Sequence, residues 1–469
     1  MITYQDYLQS SDKISFIYQA IKDFQNSEIY TNSIKSRSYY KGENPTINKR
    51  MNWIYSSRGE KVEDKFRANN KLSSEFLSYI VNQLNSYLLG NGLFVDEEIK
   101  KGLGKRFDTN LFKLGINSQL DSVAWIYCYI DNKGNFSQNV FNGNEFIPLY
   151  DEITSDLMAG IRYWQLDTDK PMMVEFYERD GKSTIKYGVD EGIGQVIQDK
   201  KPYIVNMNYS ETFEEITDSD NWSVIPVFPL FYNDKNSGVL TKGLRSYIDA
   251  YDVVNSDLVN NLEDNNDIYA ILKNYPGESL EEFLTEFKMT KTIRMESDAM
   301  TGDSSAEIKQ IEVPYQARKE ALTIIRNDIF KNSMALDAEK LTGNSLTNVA
   351  IKASMINLDL KADLFEMNVI DCVDNIINLY LEFVGKQNEE YNIKFARRTL
   401  VNETEEIDNL LKIRDDLDLE TFLHKLPNID NEEIEKIVKN KEEEVQKTFS
   451  FEEPFRKEEE IKIDEEGAE

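Results

Sequence analysis

The chain has 469 residues, of which 40% are hydrophobic, and this apolar fraction excludes a wholly disordered protein. Asp and Glu number 84 against 54 Lys and Arg, a formal net charge of -30, which excludes general neutralisation of nucleic-acid phosphates as a main function. Two distant cysteines, Cys128 and Cys372, and a single histidine, His424, exclude a disulfide framework, a Cys-rich zinc site and a His-based triad.

The length predicts two or three domains, or one elongated subunit with several parts. The first residues lack the basic and then apolar pattern of a signal peptide. No apolar run approaches the length of about 18 residues that a membrane helix needs. We therefore expect neither a signal peptide nor a membrane span.

Two amphipathic helices are predicted near the start of the chain. Apolar residues recur at helical spacing over residues 14–26 and again over residues 72–88. Asn70 is placed to cap the second helix, and Gly90 and Gly92 are placed to end it.

A section rich in strands follows these helices. Two prolines, Pro226 and Pro229, exclude a central strand over residues 225–231, because proline cannot donate to a sheet ladder. Short apolar runs bounded by turn residues predict strands at residues 123–130, 146–150, 161–166, 173–178 and 184–187.

The pattern becomes mainly helical from residue 240. Helical spacing predicts one helix over residues 240–275 and another over residues 314–334. Between them, alternating apolar residues predict two short strands, 290–296 and 306–313, joined by the loop 298–305.

The longest periodic segment covers residues 346–384, after an interruption rich in turn residues. An unbroken helix of this length spans about 58 Å, which is unusual in a compact domain and indicates a spoke in a large assembly. Short acidic helices are predicted over residues 410–445. The charged residues 448–469 are expected to be disordered.

Two short patterns resemble ligand-binding loops but lack essential residues. Gly181-Lys182-Ser183 ends like a phosphate-binding loop, but Phe176 stands where that loop needs a glycine, so we expect a turn between strands. Asp218-Ser219-Asp220-Asn221 lacks the oxygen spacing of a calcium loop and is expected to be a solvated loop.

Carboxylate pairs at helical spacing are the remaining candidates for chemistry. Asp249/Asp252 and Asp264/Asp267 could each hold a divalent ion, but no third ligand is indicated, so a solvated helix face is the preferred interpretation. His424 is expected to be a surface or packing residue. We therefore predict no catalytic residue, no cofactor and no metal site, and we do not expect an enzyme.

Six short segments are informative when they are taken together in their order along the chain. They are Tyr39-Tyr40-Lys41-Gly42, Asn70-Lys71-Leu72 with Leu89-Gly90-Asn91, Ile225 to Leu230 with Asn233, Ser246 to Asp252 with Ser256, Val349-Ala350-Ile351-Lys352, and Thr421, Leu423, Pro427 and Glu435. In this order they resemble segments of the portal proteins of long-tailed bacteriophages and related prophages. In one departure, Thr347-Asn348 stands where that family has Ser-Gly.

The resemblance implies an α+β, mainly helical fold: an elongated portal subunit with wing, stem, clip and crown, assembled as a ring. By order along the chain it implies the following parts: wing 1–239, stem helix 240–275, clip 276–313, second stem helix 314–335, tunnel loop 336–347, long wing helix 348–400, crown 401–447 and acidic tail 448–469.

The resemblance also implies a function. The ring, usually of twelve copies, would stand at one capsid vertex, where double-stranded DNA passes through it without sequence-specific binding during genome packaging and ejection. Implied partners are further copies of the chain, the terminase large subunit, the major capsid and scaffolding proteins and the head-tail adaptor. The implied location is the virion, with the host cytoplasm during assembly, and no membrane is involved.

Two sets of site residues follow from this assignment. The tunnel-loop residues are Leu336, Asp337, Lys340, Thr342, Gly343, Asn344, Ser345 and Thr347. Near this loop, Lys340 and Lys352 would touch DNA phosphates only weakly. The expected subunit contacts of the clip are Ile293, Met295, Ile311 and Val313.

Two other classes of function remain open at this point. One is a different capsid-assembly or minor head protein that shares the helices and the acidity but forms no closed DNA channel. The other is a metal-dependent nuclease built on the carboxylate pairs. Ring formation separates the portal from the first alternative, and metal-dependent DNA cleavage would support the second.

Overall fold

A computed structural model describes most of the chain, and its residues form two units. The first unit comprises Met1–Asp337 and Asn357–Arg398, and the second comprises Ala338–Ile356 and Thr399–Glu469. The described residues are 2–55, 58–65, 67–188, 193–209, 215–234, 237–264, 269–273, 305–309, 315–341, 348–397, 403–414, 417–425, 434 and 436–441.

The first four helices of the chain begin with side-chain caps. Asp12 accepts hydrogen bonds from two backbone N–H groups at the start of α2, and Ser27 does the same for one N–H of α3. The α-helices are α1 (Tyr4–Gln9), α2 (Lys13–Gln25), α3 (Glu28–Tyr40), α4 (Pro45–Asn48), α5 (Phe76–Leu89), α6 (Glu97–Gly102), α7 (Phe107–Asp121), α8 (Lys242–Asp264), α9 (Tyr315–Ser333), α10 (Asn348–Val384), α11 (Glu403–Lys412) and α12 (Leu419–Lys425).

All the strand pairs of the described residues are antiparallel. One sheet has five strands in the order β10-β9-β8-β7-β6, another has the order β13-β4-β5, and the pairs β1-β2, β11-β12, β14-β15 and β3-β16 stand alone. The strands are β1 (Trp53–Tyr55), β2 (Lys61–Glu63), β3 (Leu93–Phe94), β4 (Val123–Ile130), β5 (Phe136–Phe141), β6 (Phe146–Tyr150), β7 (Leu157–Trp164), β8 (Met172–Glu178), β9 (Gly181–Tyr187), β10 (Gly194–Lys201), β11 (Ile204–Tyr209), β12 (Glu215–Asp220), β13 (Val227–Phe231), β14 (Tyr269–Lys273), β15 (Ser305–Lys309) and β16 (Lys394–Phe395).

The five-stranded sheet of the first unit lies between two other layers. α1 and α2 cover one face, where Ile17 and Ile21 share a core with side chains of β6 to β9. The other face meets the three-stranded sheet, because Phe146 of β6 and Tyr177 of β8 pack with Trp125 of β4. α7 covers the far side of the three-stranded sheet. Successive residues of a strand point to opposite faces, so the same strands supply both cores.

A third core of the first unit is mainly helical. Leu77 and Ile80 of α5, Leu244 and Ile248 of α8, and Ile329 of α9 form one buried cluster. Burying each such side chain contributes about 1.5–3 kcal/mol. The start of α8 and the end of α9 are therefore held in the body of the first unit.

Several predicted elements are confirmed. α2, α9 and α10 match the helices expected over residues 14–26, 314–334 and 346–384, and α10 spans about 55 Å. β4 and β6 have the expected bounds, and β13, which contains Pro229, is an edge strand as its prolines require. The mixture of helices and antiparallel sheets confirms the α+β class.

The helix expected after Asn70 begins later than predicted. α5 starts at Phe76, and Asn70 does not cap it. The reason is a tertiary contact: the backbone N–H groups of Asn70, Leu72 and Ser74 are bonded to side chains of α8, as described below. The predicted end is confirmed, because Gly90 follows the last residue and Gly92 has a φ of 76°.

The helix predicted over residues 240–275 is shorter than expected. α8 ends at Asp264, and Tyr269–Lys273 forms β14 instead of continuing the helix to residue 275. β14 pairs with β15, so hydrogen bonds to a distant strand override the local helical spacing. The expected strand 290–296 and most of the loop 298–305 lie outside the described residues.

Two expected loops are strands. Lys182 and Ser183 belong to β9, which pairs with β8, so the turn between these strands precedes Gly181. Asp218 and Asp220 belong to β12, which pairs with β11. In both hairpins the ladder bonds to the preceding strand outweigh the turn-forming tendency of Gly, Ser and Asp.

The described part of the second unit contains short helices with a small core. Leu410 of α11 packs with Phe422 and Leu423 of α12 and with Ile434. α12 lies within residues 410–445, where short helices were predicted, whereas α11 begins earlier than predicted, at Glu403. Residues 448–469, expected to be disordered, lie outside the described residues.

Candidate channel-forming helices

α8 and α9 form an antiparallel helical pair. Leu244, near the start of α8, shares a core with Ile329, near the end of α9. Closer to the other ends, Arg318 of α9 donates to the backbone carbonyl of Asp257 at 2.9 Å. β14 follows α8 and pairs with β15, which precedes α9. The chain therefore leaves the body of the first unit along α8 and returns along α9.

A polar stripe on α8 binds an extended segment of the chain. Three backbone N–H groups of that segment donate to side chains of the stripe. The bonds run from Asn70 to Asn260 Oδ1 at 2.6 Å, from Leu72 to Ser256 Oγ at 3.0 Å, and from Ser74 to Asp252 Oδ1 at 3.0 Å.

The spacing of these bonds has a geometric reason. The three acceptors on α8 are four residues apart, a rise of about 6 Å, and the three donors are two residues apart, a rise of about 6.6 Å in an extended chain. The near match lets every second N–H of residues 70–74 find a side chain on one helix face. These bonds take the place of the ladder that an extended segment would otherwise make in a sheet.

The start of the stripe is bonded to the end of α3 and to α4. Tyr39 donates its hydroxyl hydrogen to Asp249, and Asn44 Nδ2 donates to Asp249 Oδ1 at 3.0 Å and to Asp252 Oδ2 at 2.7 Å. Burial, followed by the Asp249 bond, raises the pKa of the Tyr39 hydroxyl, and burial raises the pKa of the Asp252 carboxyl. Asp252 is only 1% exposed, so the interpretation of this pair as a solvated helix face is wrong.

Three of the segments on which the portal resemblance depends meet in this network. They contribute Tyr39, the Asn70 to Leu72 stretch, and the Asp249, Asp252 and Ser256 positions of α8. They are separated by up to about two hundred residues along the chain. Their shared role is to fix α8 to the N-terminal part of the first unit.

The end of α9 is also fixed. Met334 has a φ of 55°, and the Ala335 N–H bonds back to the Phe330 carbonyl at 3.1 Å, which is the Schellman arrangement. Leu336 N–H donates to Gln83 Oε1 at 2.8 Å, and its carbonyl accepts from the Tyr79 hydroxyl at 3.0 Å. The residue that follows the end of α9 is thereby bonded to α5.

Two charged side chains complete this junction. Asp337 is buried and pairs with Arg326 of α9 at 3.0 Å. Lys361 of α10 is buried and donates to the Ser333 carbonyl at 3.0 Å. Burial lowers the pKa of the Lys361 ammonium to about 8. The carbonyl at the end of α9 is therefore satisfied by a side chain of the long helix.

The structure describes part of the expected tunnel loop. Leu336 and Asp337 are buried against α5 and α9 in the first unit, so they anchor the loop. Lys340 lies in the short 3₁₀ helix Ala338–Leu341, and Lys352 is exposed on α10. Outside the described residues lie Thr342, Gly343, Asn344, Ser345 and Thr347.

The expected subunit contacts of the clip lie outside the described residues, namely Ile293, Met295, Ile311 and Val313. The described part of this region is the β14–β15 hairpin, formed within one chain. β14 was missed in the sequence because Tyr269, Ala270, Ile271 and Leu272 continue the apolar pattern of α8. The aromatic and β-branched residues in that run were the available signal for a strand.

The residues that fix α8 were also missed as a group. Asn44, Ser74 and Asn260 are short polar residues without an individual motif. The available signal was on α8, where Asp249, Asp252, Ser256, Asn260 and Glu263 recur at helical spacing opposite the apolar stripe. A stripe of short polar side chains on a long helix can bind backbone groups as well as water.

The described residues contain no arrangement typical of a metal enzyme. Within them, no three His, Cys, Asp or Glu side chains are grouped so as to hold a metal ion. In the same part of the chain, no helix has the length and apolarity to cross a membrane. Cys128 and Cys372 are both free and buried, and burial raises the pKa of both thiols.

Comparison with known proteins identifies the family. The family model described as phage portal protein, SPP1 Gp6-like, matches residues 20–447. The portal protein of Clostridium phage phiCD119 is 27% identical over 424 residues, covering 86% of this chain and 91% of that protein. The portal protein of Bacillus phage SPP1 is 23% identical over 410 residues, covering 81% and 76%. Phage portal proteins are structural proteins of the virion capsid and not enzymes, and with a match over most of its length this chain belongs to the SPP1 Gp6-like family of phage portal proteins.

Proposed function

We propose that this chain assembles into a closed ring, of twelve copies, at one vertex of a phage capsid. Double-stranded DNA passes through the ring during genome packaging and again during ejection. The ring docks the terminase large subunit and later the head-tail adaptor, and it contacts the major capsid and scaffolding proteins during assembly in the host cytoplasm. The observation that carries this proposal is the fixed helical pair α8–α9 in a chain of the portal family.

The proposed parts follow the helical pair. α8 and α9 form the stem that surrounds the channel, and β14, β15 and the residues between them form the clip, so the stem helix ends at Asp264. Residues 1–239 and α10 form the wing, and residues 401–447 form the crown. The clip contacts neighbouring copies through Ile293, Met295, Ile311 and Val313.

A channel that moves DNA needs rigid walls and weak attraction. The polar stripe on α8 and the junction at the end of α9 bond both helices to the body of their own chain, so each chain supplies rigid stem helices by itself. The formal charge of -30 per chain limits attraction for DNA phosphates, and each phosphate contact would oppose sliding of the DNA. Leu336 and Asp337 anchor the tunnel loop, and the residues that follow them face the DNA.

The test places positive charge in the tunnel loop. Asn344→Lys combined with Ser345→Lys should slow DNA packaging in a salt-dependent way, because each added phosphate contact steepens the salt response. Asn344→Gln combined with Ser345→Thr is the matched control. The measurement is the length of DNA per capsid for variants whose assemblies look normal by electron microscopy. Packaging at the normal rate and extent by the lysine variant at every salt concentration would overturn the channel assignment.

A further inference from the structure

Two apolar surfaces of the first unit are exposed to solvent. The first is the hairpin β1–β2, in which every strand residue is exposed, including Trp53, Ile54 and Tyr55, the last at 73%. The second is a stripe on α10 formed by Leu360, Leu364 and Met367, with Leu364 exposed at 68%. We call them the aromatic hairpin and the α10 stripe.

The aromatic hairpin needs a surface to stabilise it. An isolated two-stranded hairpin is at best marginally stable in water. Trp53 and Tyr55 project on one face, where Lys61 lies 4.6 Å from the Trp53 ring centroid, and Ile54 and Val62 form a pair on the other face. A bond between the two flanks closes the base of the hairpin: Asn52 Nδ2 donates to the Ala68 carbonyl at 2.9 Å. The strands themselves contribute no residue to a core.

The α10 stripe is formed by residues at i, i+4 and i+7, so its three side chains share one helix face. The opposite face, with Ala362, Phe365 and Val369, is fully buried in the first unit. A helix that is apolar on both sides is typical of one that is buried on both sides. Methionine and leucine on an exposed face also suit contact with aromatic rings.

The two surfaces have opposite charge. Residues 49–67, which contain the aromatic hairpin, have six Lys and Arg against three Asp and Glu, in a chain with a formal charge of -30. Residues 357–378 of α10 have five Asp and Glu against one Lys, and that lysine is the buried Lys361. Arg397 pairs with three of these carboxylates. Further along α10, Asp371 and Asp374 keep their negative charge to attract a basic partner, since among the described residues Asp374 accepts hydrogen bonds only from the neutral groups of Tyr391 and Asn378.

We propose that the aromatic hairpin of one copy packs on the α10 stripe of the neighbouring copy. The proposal rests on the proposed ring, because a closed ring of identical chains needs two different surfaces that bind each other. Trp53 and Tyr55 cover Leu360, Leu364 and Met367, and the basic flanks of the hairpin approach the acidic end of the stripe. Tryptophan and tyrosine are the residues that most often dominate the binding energy of such contacts.

The test is cross-linking between introduced cysteines. Tyr55→Cys and Leu364→Cys are combined in one chain, and assembled rings are treated with a flexible bis-maleimide. The natural Cys128 and Cys372 are buried, so they contribute little reaction. We expect a ladder of covalent multimers on a denaturing gel. The matched control pairs Leu364→Cys with Leu166→Cys, a residue 85% exposed at the end of β7, and should give no ladder.

The possible results separate this proposal from the proposed function. Rings that give no ladder, or give only an internally cross-linked monomer, overturn the hairpin contact and leave the ring intact. Unmodified protein that forms no rings overturns the proposed function as well. As a second measurement, Leu364→Asp should lower the fraction of chain in rings at least tenfold, and Leu166→Asp should leave it unchanged. Equal effects of the two aspartates would contradict the contact.

Discussion

The attachment of α8 to the extended segment can be tested by replacing Asp252 with alanine. Asp252 is 1% exposed and accepts hydrogen bonds from Asn44 Nδ2 at 2.7 Å and from the Ser74 N–H at 3.0 Å. Hydrogen bonds to a charged group contribute about 1.5–3 kcal/mol each, and burial of the carboxylate offsets part of this gain. We therefore expect Asp252→Ala to lower the free energy of unfolding by about 3 kcal/mol.

Asp257 provides the control on the same helix. It is about one-third exposed and pairs with Arg50 at 2.8 Å. A pair of this kind contributes about 0–1 kcal/mol, so Asp257→Ala should change stability by no more than that. The measurement is the urea midpoint of each variant at pH 7, followed by tryptophan fluorescence. If Asp257→Ala costs as much as Asp252→Ala, the buried hydrogen bonds are not what fixes α8.

Four further predictions follow from named features. Lys361→Met should raise the free energy of unfolding by about 2 kcal/mol at pH 7, because it removes an ammonium whose pKa burial lowers to about 8. Between about pH 8 and pH 10.4 the unfolded wild-type chain binds this proton more tightly than the folded chain, so the wild type gains stability as the pH rises. Urea titrations should therefore show that the advantage of the methionine variant shrinks over this pH range. Met334→Gly should raise stability by about 1 kcal/mol, since its φ of 55° disfavours a side chain, and Met334→Ala, measured in parallel, should give no gain. Truncation that removes residues 449–469, which the family match does not include, should leave ring formation unchanged by size-exclusion chromatography, whereas loss of rings would make the tail part of the crown. Deletion of residues 298–304, which spares β15, should weaken rings through a changed strand register, and normal rings with normal terminase docking would contradict the clip assignment.

The elements that were predicted correctly are those whose pattern is local. α9 and α10 have a helical period over many residues, and β4 and β6 are short apolar runs between turn residues. The prolines of residues 225–231 excluded a central strand, and β13 is indeed at a sheet edge. In each case the side chains needed for the inference lie within one element.

The elements that were missed depend on contacts between distant residues. The segment at Asn70 was predicted to cap a helix, but its N–H groups bond to side chains about 190 residues further along the chain. For the same reason Asp252 was predicted to be solvated, although it is buried. β14 became a strand because β15, which lies much further along the chain, pairs with it. No local period contains this information.

The order of segments along the chain indicated where the candidate site lies, but not which residues contact one another there. The resemblance indicated the stem, the clip and the tunnel loop, and the structure adds what fixes α8 and α9 within one chain. Leu336 and Asp337 were expected in the tunnel loop, and the structure buries both of them against α5 and α9. A single sequence cannot distinguish an anchor from a DNA-facing residue, because both are found in the same interruption between helices.

The most direct test of the proposed function is electron microscopy of the purified chain. We predict closed rings with twelvefold symmetry and an axial opening wide enough for duplex DNA, with the α8–α9 pairs lining the opening. Class averages that show only monomers, or open aggregates without an axial opening, would contradict the channel and favour a capsid component that encloses no DNA.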